Sequence, residues 1–433
     1  MGNLNIIILA GGESSRFWPL QEKNSYPFLG ITNINKHIAR FKKIGNCNFI
    51  VVTNGNLIIE NKDINVVTQT GSGMAGAVMS ALEEINQDEE ILVLNANDYY
   101  DEGLISDFIK IREELNSTNS AMLVGYKTEK YFPGGYLKIE NGNITGIIEK
   151  PGEGNTPSEF VNIVFHYFNN ANELLNSLLK SRSKNDDVYE VALDSLMKSS
   201  KVFKLLEYKG QWKTIKYPWH VLDVMEYFLD TIKGQNISTR AEISKNAFIK
   251  GNVIIEDGVK IFEGAVVNGP CYIGKNTIIA NGALVRNSII GENCVIGYAT
   301  EIARSYFKDN VWLHKNYVGD SIFESNVSLG SNAITGNLRL DEQNITKSIK
   351  GNKIGTDRNK LGAIIGSNVR IGINVNMMPG ISIGSNSFVG PNVNVEKDIE
   401  DNKFLKLVQS IEIKENRFDI KSTSREKIKK KIK

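Results

Sequence analysis

Along the first half of the chain, short apolar runs alternate with stretches of helical periodicity, and residues 6–10, 49–53, 91–95 and 121–126 read as strands buried on both faces. Uninterrupted apolar strands separated by helices are the pattern of a parallel sheet covered on both sides, so an α/β domain is expected. From about residue 240 the texture changes. An apolar residue returns at every sixth position, at Ile243, Ile249, Ile255, Ile261, Val267, Ile273, Ile279 and Val285, and after a slip of one at Ile290, Ile296 and Ile302. The same period resumes at Ile365, Ile371, Met377, Ile383, Val389 and Val395. Neither an isolated helix nor a hairpin sheet repeats in this way. The flat faces of a triangular β-solenoid, with Gly and Asn at the corners, do. Between the two runs, residues 340–360 are polar and aperiodic, and are read as a loop projecting from the coils, where solenoids often keep binding residues.

A chain of 433 residues has room for two or three domains at about 150 residues each. The pattern divides it into residues 1–235, a short linker, residues 240–410, and a lysine-rich tail, 411–433, read as a solvated, frayed end. Lys plus Arg number 51 and Asp plus Glu 49, so no global charge argues for nucleic acid or a membrane surface, and anionic ligands must be held by local groups. Cys47, Cys271 and Cys294 have no CxxC spacing; neither a disulfide framework nor a zinc site is expected, and a reducing cytoplasm fits. No apolar run approaches the ~18 residues of a membrane span, and the start lacks a basic n-region and cleavage site.

The segment Leu9-Ala10-Gly11-Gly12-Glu13-Ser14-Ser15-Arg16 follows the first strand directly. Small residues there make a tight turn whose backbone N–H groups can approach phosphate oxygens, with Arg16 adding charge. Further blocks follow: Gln69 with Gly73-Met74-Ala75, Asp98 closing ILVLNAND, Gly134-Gly135-Tyr136, Glu149-Lys150-Pro151, Val161-Asn162 and Tyr217-Pro218-Trp219. In that order they resemble the sugar-1-phosphate nucleotidyltransferases. The resemblance implies a Rossmann-like α/β domain in which a sugar 1-phosphate oxygen attacks the α-phosphorus of a nucleoside triphosphate, UTP or dTTP, and expels pyrophosphate. Mg²⁺ and basic groups absorb the developing charge. It assigns Gly11, Gly12 and Arg16 to the triphosphate, Gln69 and Gly73 to the base, Gly135, Glu149 and Asn162 to the sugar, and Asp98 to Mg²⁺.

Two departures from that family matter. Where it carries Pro-Lys-Pro, with the lysine on phosphate, this chain has Ser25-Tyr26-Pro27, and a phenol is uncharged at neutral pH. The loss is expected to slow nucleotidyl transfer by several kcal/mol of barrier unless replaced. Lys23, three residues earlier, is the candidate to replace it, beside Arg16. After Tyr217-Pro218-Trp219 the family often has an aspartate completing the metal site; here His220 stands there, a poorer Mg²⁺ ligand, with Asp223 as a fallback.

In the solenoid, residues 312–321 (WLHKNYVGDS), 333–339 (AITGNLR) and 357–366 (DRNKLGAIIG) resemble the glucosamine-1-phosphate acetyltransferase half of bifunctional enzymes that make UDP-N-acetylglucosamine, the archaeal members above all. That implies a left-handed parallel β-helix, acetyl-CoA as co-substrate and a homotrimer. Acetyl transfer to an amine needs a base, and His314 is the candidate. Tyr317 and Asn337 match sugar- and acetyl-side contacts, and Lys360 a phosphate contact. Ser328 stands where bacterial members have asparagine, and a lysine is missing near Ala303, with Arg304 as its stand-in. Two alternatives stay open: a single-activity glucose-1-phosphate nucleotidyltransferase on a structural β-helix, and a non-catalytic nucleotide-sugar-binding scaffold.

Overall fold

The strand Leu4–Ala10 lies inside a nine-stranded sheet and is buried along its whole length, which is why its sequence is almost continuously apolar. The computed structural model describes every residue except 1–2, 56, 58, 60, 62–63, 129, 185–186, 200, 419–424, 426–428 and 432–433, so the lysine-rich end falls largely outside the described residues. From one edge the sheet runs Asn65–Thr68, Cys47–Thr53, Leu4–Ala10, Glu90–Asn95, Phe160–Phe168, Ala121–Lys127, Phe203–Tyr208, Asn143–Glu149 and Gly135–Glu140. The first three predicted strands are parallel neighbours. The fourth differs. Ala121–Lys127 is parallel to Phe203–Tyr208, but it joins the others through Phe160–Phe168, which is antiparallel to both its neighbours. The chain enters that strand from the hairpin Gly135–Glu140/Asn143–Glu149, with no helix between them.

Helices Gly73–Leu82, Ala171–Lys180 and Val188–Lys198 cover one face through Val78, Leu174 and Leu193; helices Asn33–Lys42 and Glu102–Ser117 cover the other through Phe41 and Phe108. The phosphate turn and Asp98 both follow carboxyl ends of parallel strands, the usual position for ligands in an open α/β sheet.

From Gln235–Ile237 to Phe404–Leu405 the chain winds a left-handed β-helix of three parallel sheets. Ile243 lies beside Ile261, then Ile279, then Ile296 in the next coils of one sheet, while Ile249 and Ile255 belong to the other two. One six-residue repeat is therefore one face, and successive repeats fill the shared interior with Ile and Val. Many of the corners are asparagine. Asn276, Asn293, Asn310, Asn326, Asn368, Asn386 and Asn402 hold φ between 55° and 61°, a left-handed conformation that asparagine tolerates far better than branched residues. Their amides link coil to coil, for example Asn368 to Asn386 at 3.0 Å.

Residues 340–360 are more ordered than the expected loop. They contain a hairpin, Thr346–Ile349 paired with Asn352–Gly355, whose alternation KSIKGNKI carries Ile349 and Ile354 on one side. These two residues, with buried Ile345, join an apolar cluster that spans both domains: Phe17, Tyr26, Phe28 and Trp219 from the first, and Tyr272, Tyr306 and Ile364 from the solenoid. Polar contacts add direction. Tyr306 donates to the Pro27 carbonyl at 2.7 Å, and Arg358 pairs with Asp223 and, at 2.8 Å, Glu226 of helix His220–Asp230.

Candidate active sites

The phosphate turn is held from below. Asn24 donates to the Ala10 carbonyl at 3.3 Å, Ser14 adopts a φ of 49°, and Glu22 accepts from the Asn24 N–H at 3.0 Å to fix the turn Lys23–Ser25. A side chain at Gly11 would put its Cβ 2.3 Å from Gln69 Oε1, so glycine is what lets Gln69 lie across the turn. Gln69 Nε2 donates to the carbonyls of Gly71 (2.7 Å) and Gly73 (3.0 Å), so the residues assigned to the base form one connected loop.

Lys23 reaches this turn: a Cβ at Gly12 would lie 3.6 Å from its Nζ. Burial lowers its ammonium below the usual lysine range, the fields of Glu22 and Asp98 pull it back up, and Arg16 pushes it down. Asp98 is buried, opposite Thr214 in a short antiparallel pair, and accepts from Asn95 Nδ2 at 3.2 Å. Burial raises its carboxyl above the usual carboxylate range, while Thr214, Asn95 and Lys216 oppose the shift. It does not cap the next helix; Asp101 does, accepting from the Gly103 N–H at 2.8 Å.

Gly135, Glu149 and Asn162, which the resemblance assigns to the sugar, lie close together. A Cβ at Gly135 would stand 3.1 Å from Glu149 Oε2 and 3.8 Å from Asn162 Cβ. Asn162 Oδ1 is 3.0 Å from His166 Nε2, and His166 Nδ1 is 3.0 Å from the Tyr189 hydroxyl. Burial drops the His166 pKa to about 3, so a neutral ring donates to Asn162 and accepts from Tyr189, leaving the Asn162 Nδ2 as donor for a ligand.

Sequence reasoning missed Lys216. Its Nζ donates to the Pro133 carbonyl at 3.3 Å, sits 3.9 Å above the Phe132 ring, and feels Asp98, Arg16 and Glu149; burial brings its pKa down to about 8. It lies one residue before Tyr217-Pro218-Trp219, so a lysine abutting that block was the available signal.

Three expectations are corrected. Tyr26 is not in the site at all: it is fully buried at the domain junction, where its hydroxyl donates to Glu324 Oε1 beside Lys308, which pairs with Glu324 at 3.1 Å. His220 is no metal ligand, because its Nδ1 accepts the Lys216 backbone N–H at 3.2 Å while its ring packs edge-on to Tyr217 and Trp219. Asp223 is committed to Arg358. Among the described residues no three His, Cys, Asp or Glu side chains gather to hold a metal, so Asp98, the expected ligand, stands without two further protein ligands beside it. One carboxylate fits Mg²⁺ that arrives on the triphosphate and keeps phosphate and water oxygens as its other ligands.

On the solenoid, Tyr317 and Asn337 are brought together, 3.4 Å apart, and Asn337 also donates to Asp320. Asp320 in turn takes a bidentate pair from Arg304, at 2.7 Å for both bonds. Lys360 bridges to Leu338, beside Asn337. His314 lies at the preceding corner with its side chain exposed; its backbone is tied by Asn316 Oδ1 at 2.8 Å and Thr300 Oγ1 at 2.9 Å.

Residues 5–215 match the Nucleotidyl transferase family model, residues 232–376 the GMPPB C-terminal domain, and residues 362–397 the Bacterial transferase hexapeptide (six repeats). The chain is 33% identical to the Bifunctional protein GlmU of Methanococcus vannielii over 93% of its own length and 97% of the relative. It is 36% identical to the Bifunctional protein GlmU of Methanococcus maripaludis strain C7, over 93% and 97%. The Bifunctional sugar-1-phosphate nucleotidylyltransferase/acetyltransferase of Sulfurisphaera tokodaii matches at 31%, over 93% and 100%.

Proposed function

The chain belongs to the family of bifunctional sugar-1-phosphate nucleotidylyltransferase/acetyltransferases, and on that premise we propose that it carries two transferase sites. Residues 1–235 transfer a nucleotidyl group from UTP or dTTP to a sugar 1-phosphate and release pyrophosphate; residues 240–410 N-acetylate glucosamine 1-phosphate from acetyl-CoA. The observation that carries the first activity is the approach of Lys23 to Gly12, in the field of Asp98 and Arg16, because it restores beside the phosphates the charge that Tyr26 lacks. The scaffold alternative rested on Tyr26, and Tyr26 serves domain docking.

In this reading Gly11, Gly12 and Arg16 bind the triphosphate, Gln69 and Gly73 take the base, and Gly135, Glu149 and Asn162 orient the sugar. Lys23 and Lys216 hold positive charge against the phosphates through the transfer, without any covalent enzyme intermediate. Asp98 would hold Mg²⁺, which when bound neutralises phosphate charge. His314 takes the ammonium proton of the acceptor amine, with Tyr317, Asn337 and Lys360 on the substrate. The exposure of Trp312, Phe388 and Phe404 along one sheet supports a homotrimer that covers them, and the absence of a membrane-crossing helix among the described residues is compatible with a cytoplasmic protein. A purely structural solenoid is the second reading, favoured by the way Tyr317 and Asn337 are already engaged with Arg304 and Asp320.

The test is pyrophosphate release with Mg²⁺, UTP or dTTP and a panel of sugar 1-phosphates, run beside thiol release from acetyl-CoA with glucosamine 1-phosphate. Both products are expected. Pyrophosphate without thiol would favour the structural solenoid, and neither product would overturn the reading.

A further inference from the structure

The hairpin that interrupts the coils does more than brace the two domains. Its base is fixed on the solenoid, where Lys347 Nζ donates to the Gly380 carbonyl at 2.6 Å and to Asp398 at 2.8 and 2.9 Å, and is closed by the Ile345 N–H donating to the Arg358 carbonyl at 2.8 Å. It is fixed on the first domain by the Arg358 pairs at its base and by Ile349 and Ile354 in the shared apolar cluster. Its tip turns at Lys350 and Gly351, both in the left-handed region (φ 50° and 81°), as a tight two-residue hairpin turn requires. At that tip Lys350 Nζ stands 2.9 Å from Ser15 Oγ, in the phosphate turn and next to Arg16. A rigid arm of the solenoid thus ends with an ammonium on the loop assigned to the triphosphate, and its partner there is a hydroxyl, which leaves its charge uncompensated by that contact.

We propose that Lys350 is a triphosphate-binding residue supplied by the solenoid, and that it engages the β- and γ-phosphates that leave as pyrophosphate. The polarity of the turn points to that end of the ligand. Gln69, assigned to the base, lies across Gly11 where the turn begins, whereas Ser15 is at the far end. A charge-assisted contact to a phosphoryl oxygen is among the stronger hydrogen bonds available, and its loss is expected to cost about tenfold or more in affinity. The proposal deepens the nucleotidyl-transfer reading and rests on it for the identity of the ligand at this turn.

The experiment uses the full chain as wild type, Lys350→Ala, Lys350→Arg and Lys353→Ala, the last removing an equal charge from the outer strand of the same hairpin. UTP and dTTP binding, UMP and dTMP binding, and the KM for pyrophosphate in the reverse reaction are measured, with melting temperature and thiol release as checks on folding. Lys350→Ala is expected to weaken triphosphate and pyrophosphate by about tenfold or more, leave the monophosphates within about twofold, and be largely rescued by arginine, while Lys353→Ala behaves as wild type. Triphosphate binding by Lys350→Ala equal to wild type, or losses shared equally by the monophosphates, would overturn the proposal. If wild type forms no nucleotide sugar in any pairing, the reading of the site fails, and the triphosphate-binding comparison still decides on Lys350: a loss on Lys350→Ala supports it, and equal or undetectable binding in both overturns it.

Discussion

At the phosphate turn, Lys23 and Lys216 are withdrawn from solvent into the field of Asp98, and the residues assigned to base, phosphates and sugar meet within one domain. At the solenoid corner, His314 is exposed, and Tyr317 and Asn337 turn toward Arg304 and Asp320. The contrast teaches where each site gets its low-dielectric surroundings. The first has them within the single chain, where burial already shifts its titrating groups. The second has a flat coil surface with Trp312 exposed beside it and Phe388 and Phe404 exposed on later coils of the same sheet; in the proposed homotrimer a neighbouring copy would enclose it.

The contrast breaks most sharply by removing one group from each side. His314→Ala is expected to lower thiol release by about 10²- to 10⁴-fold, the range of a lost general base, with pyrophosphate release unchanged. Lys23→Ala should lower pyrophosphate release by about 10²- to 10³-fold, as for other lost contacts to transition-state charge, with thiol release unchanged. A solenoid that only braces the protein would instead return equal thiol release from wild type and His314→Ala.

Acid should separate the domains further. His37, His166 and His220 belong to the first domain, and burial lowers them to about 3, 3 and 4. Each folded-state pKa lies below the unfolded value near 6.5, so the fold favours the neutral ring. The stability this contributes is complete above pH 6.5 and is lost as pH falls toward about 4 to 3, roughly 2 kcal/mol per histidine by pH 5. Calorimetry between pH 7 and 5 should show the α/β domain melting earlier while the solenoid, whose histidine is the exposed His314, holds. Two transitions that shift in parallel would contradict this. The smallest effect is expected from Tyr26→Phe, which removes one donor to the buried Glu324 Oε1 and leaves it the Gln21 N–H at 3.3 Å: about 1 kcal/mol of stability by denaturant unfolding, with pyrophosphate release little changed.

What was legible in the sequence tracks how local its cause is. Each solenoid face is set by six consecutive residues, so Ile243 through Val395 announce the coils without any knowledge of neighbours. The glycines of the phosphate turn were legible for the same reason. Tyr26 was not: its meaning depends on Glu324, 298 residues away, and from the motif alone the missing lysine looked like a lost function. Lys216 escaped because the field it feels and the ring beneath it come from Asp98 and Phe132, both distant in the sequence. The hairpin escaped because its short alternation, KSIKGNKI, was weighed against the six-residue period of the coils instead of the two-residue period of a strand.

In the proposed reading the nucleotidyl site works without a lysine at position 26 because Lys23 takes over its charge. The direct measurement is steady-state pyrophosphate release by the full chain and by Lys23→Ala, with Mg²⁺ and the best pairing of triphosphate and sugar 1-phosphate. Robust release by wild type and a fall of at least about 10²-fold in the variant is the predicted result. Release that is absent from wild type, or that survives the loss of Lys23, would contradict it.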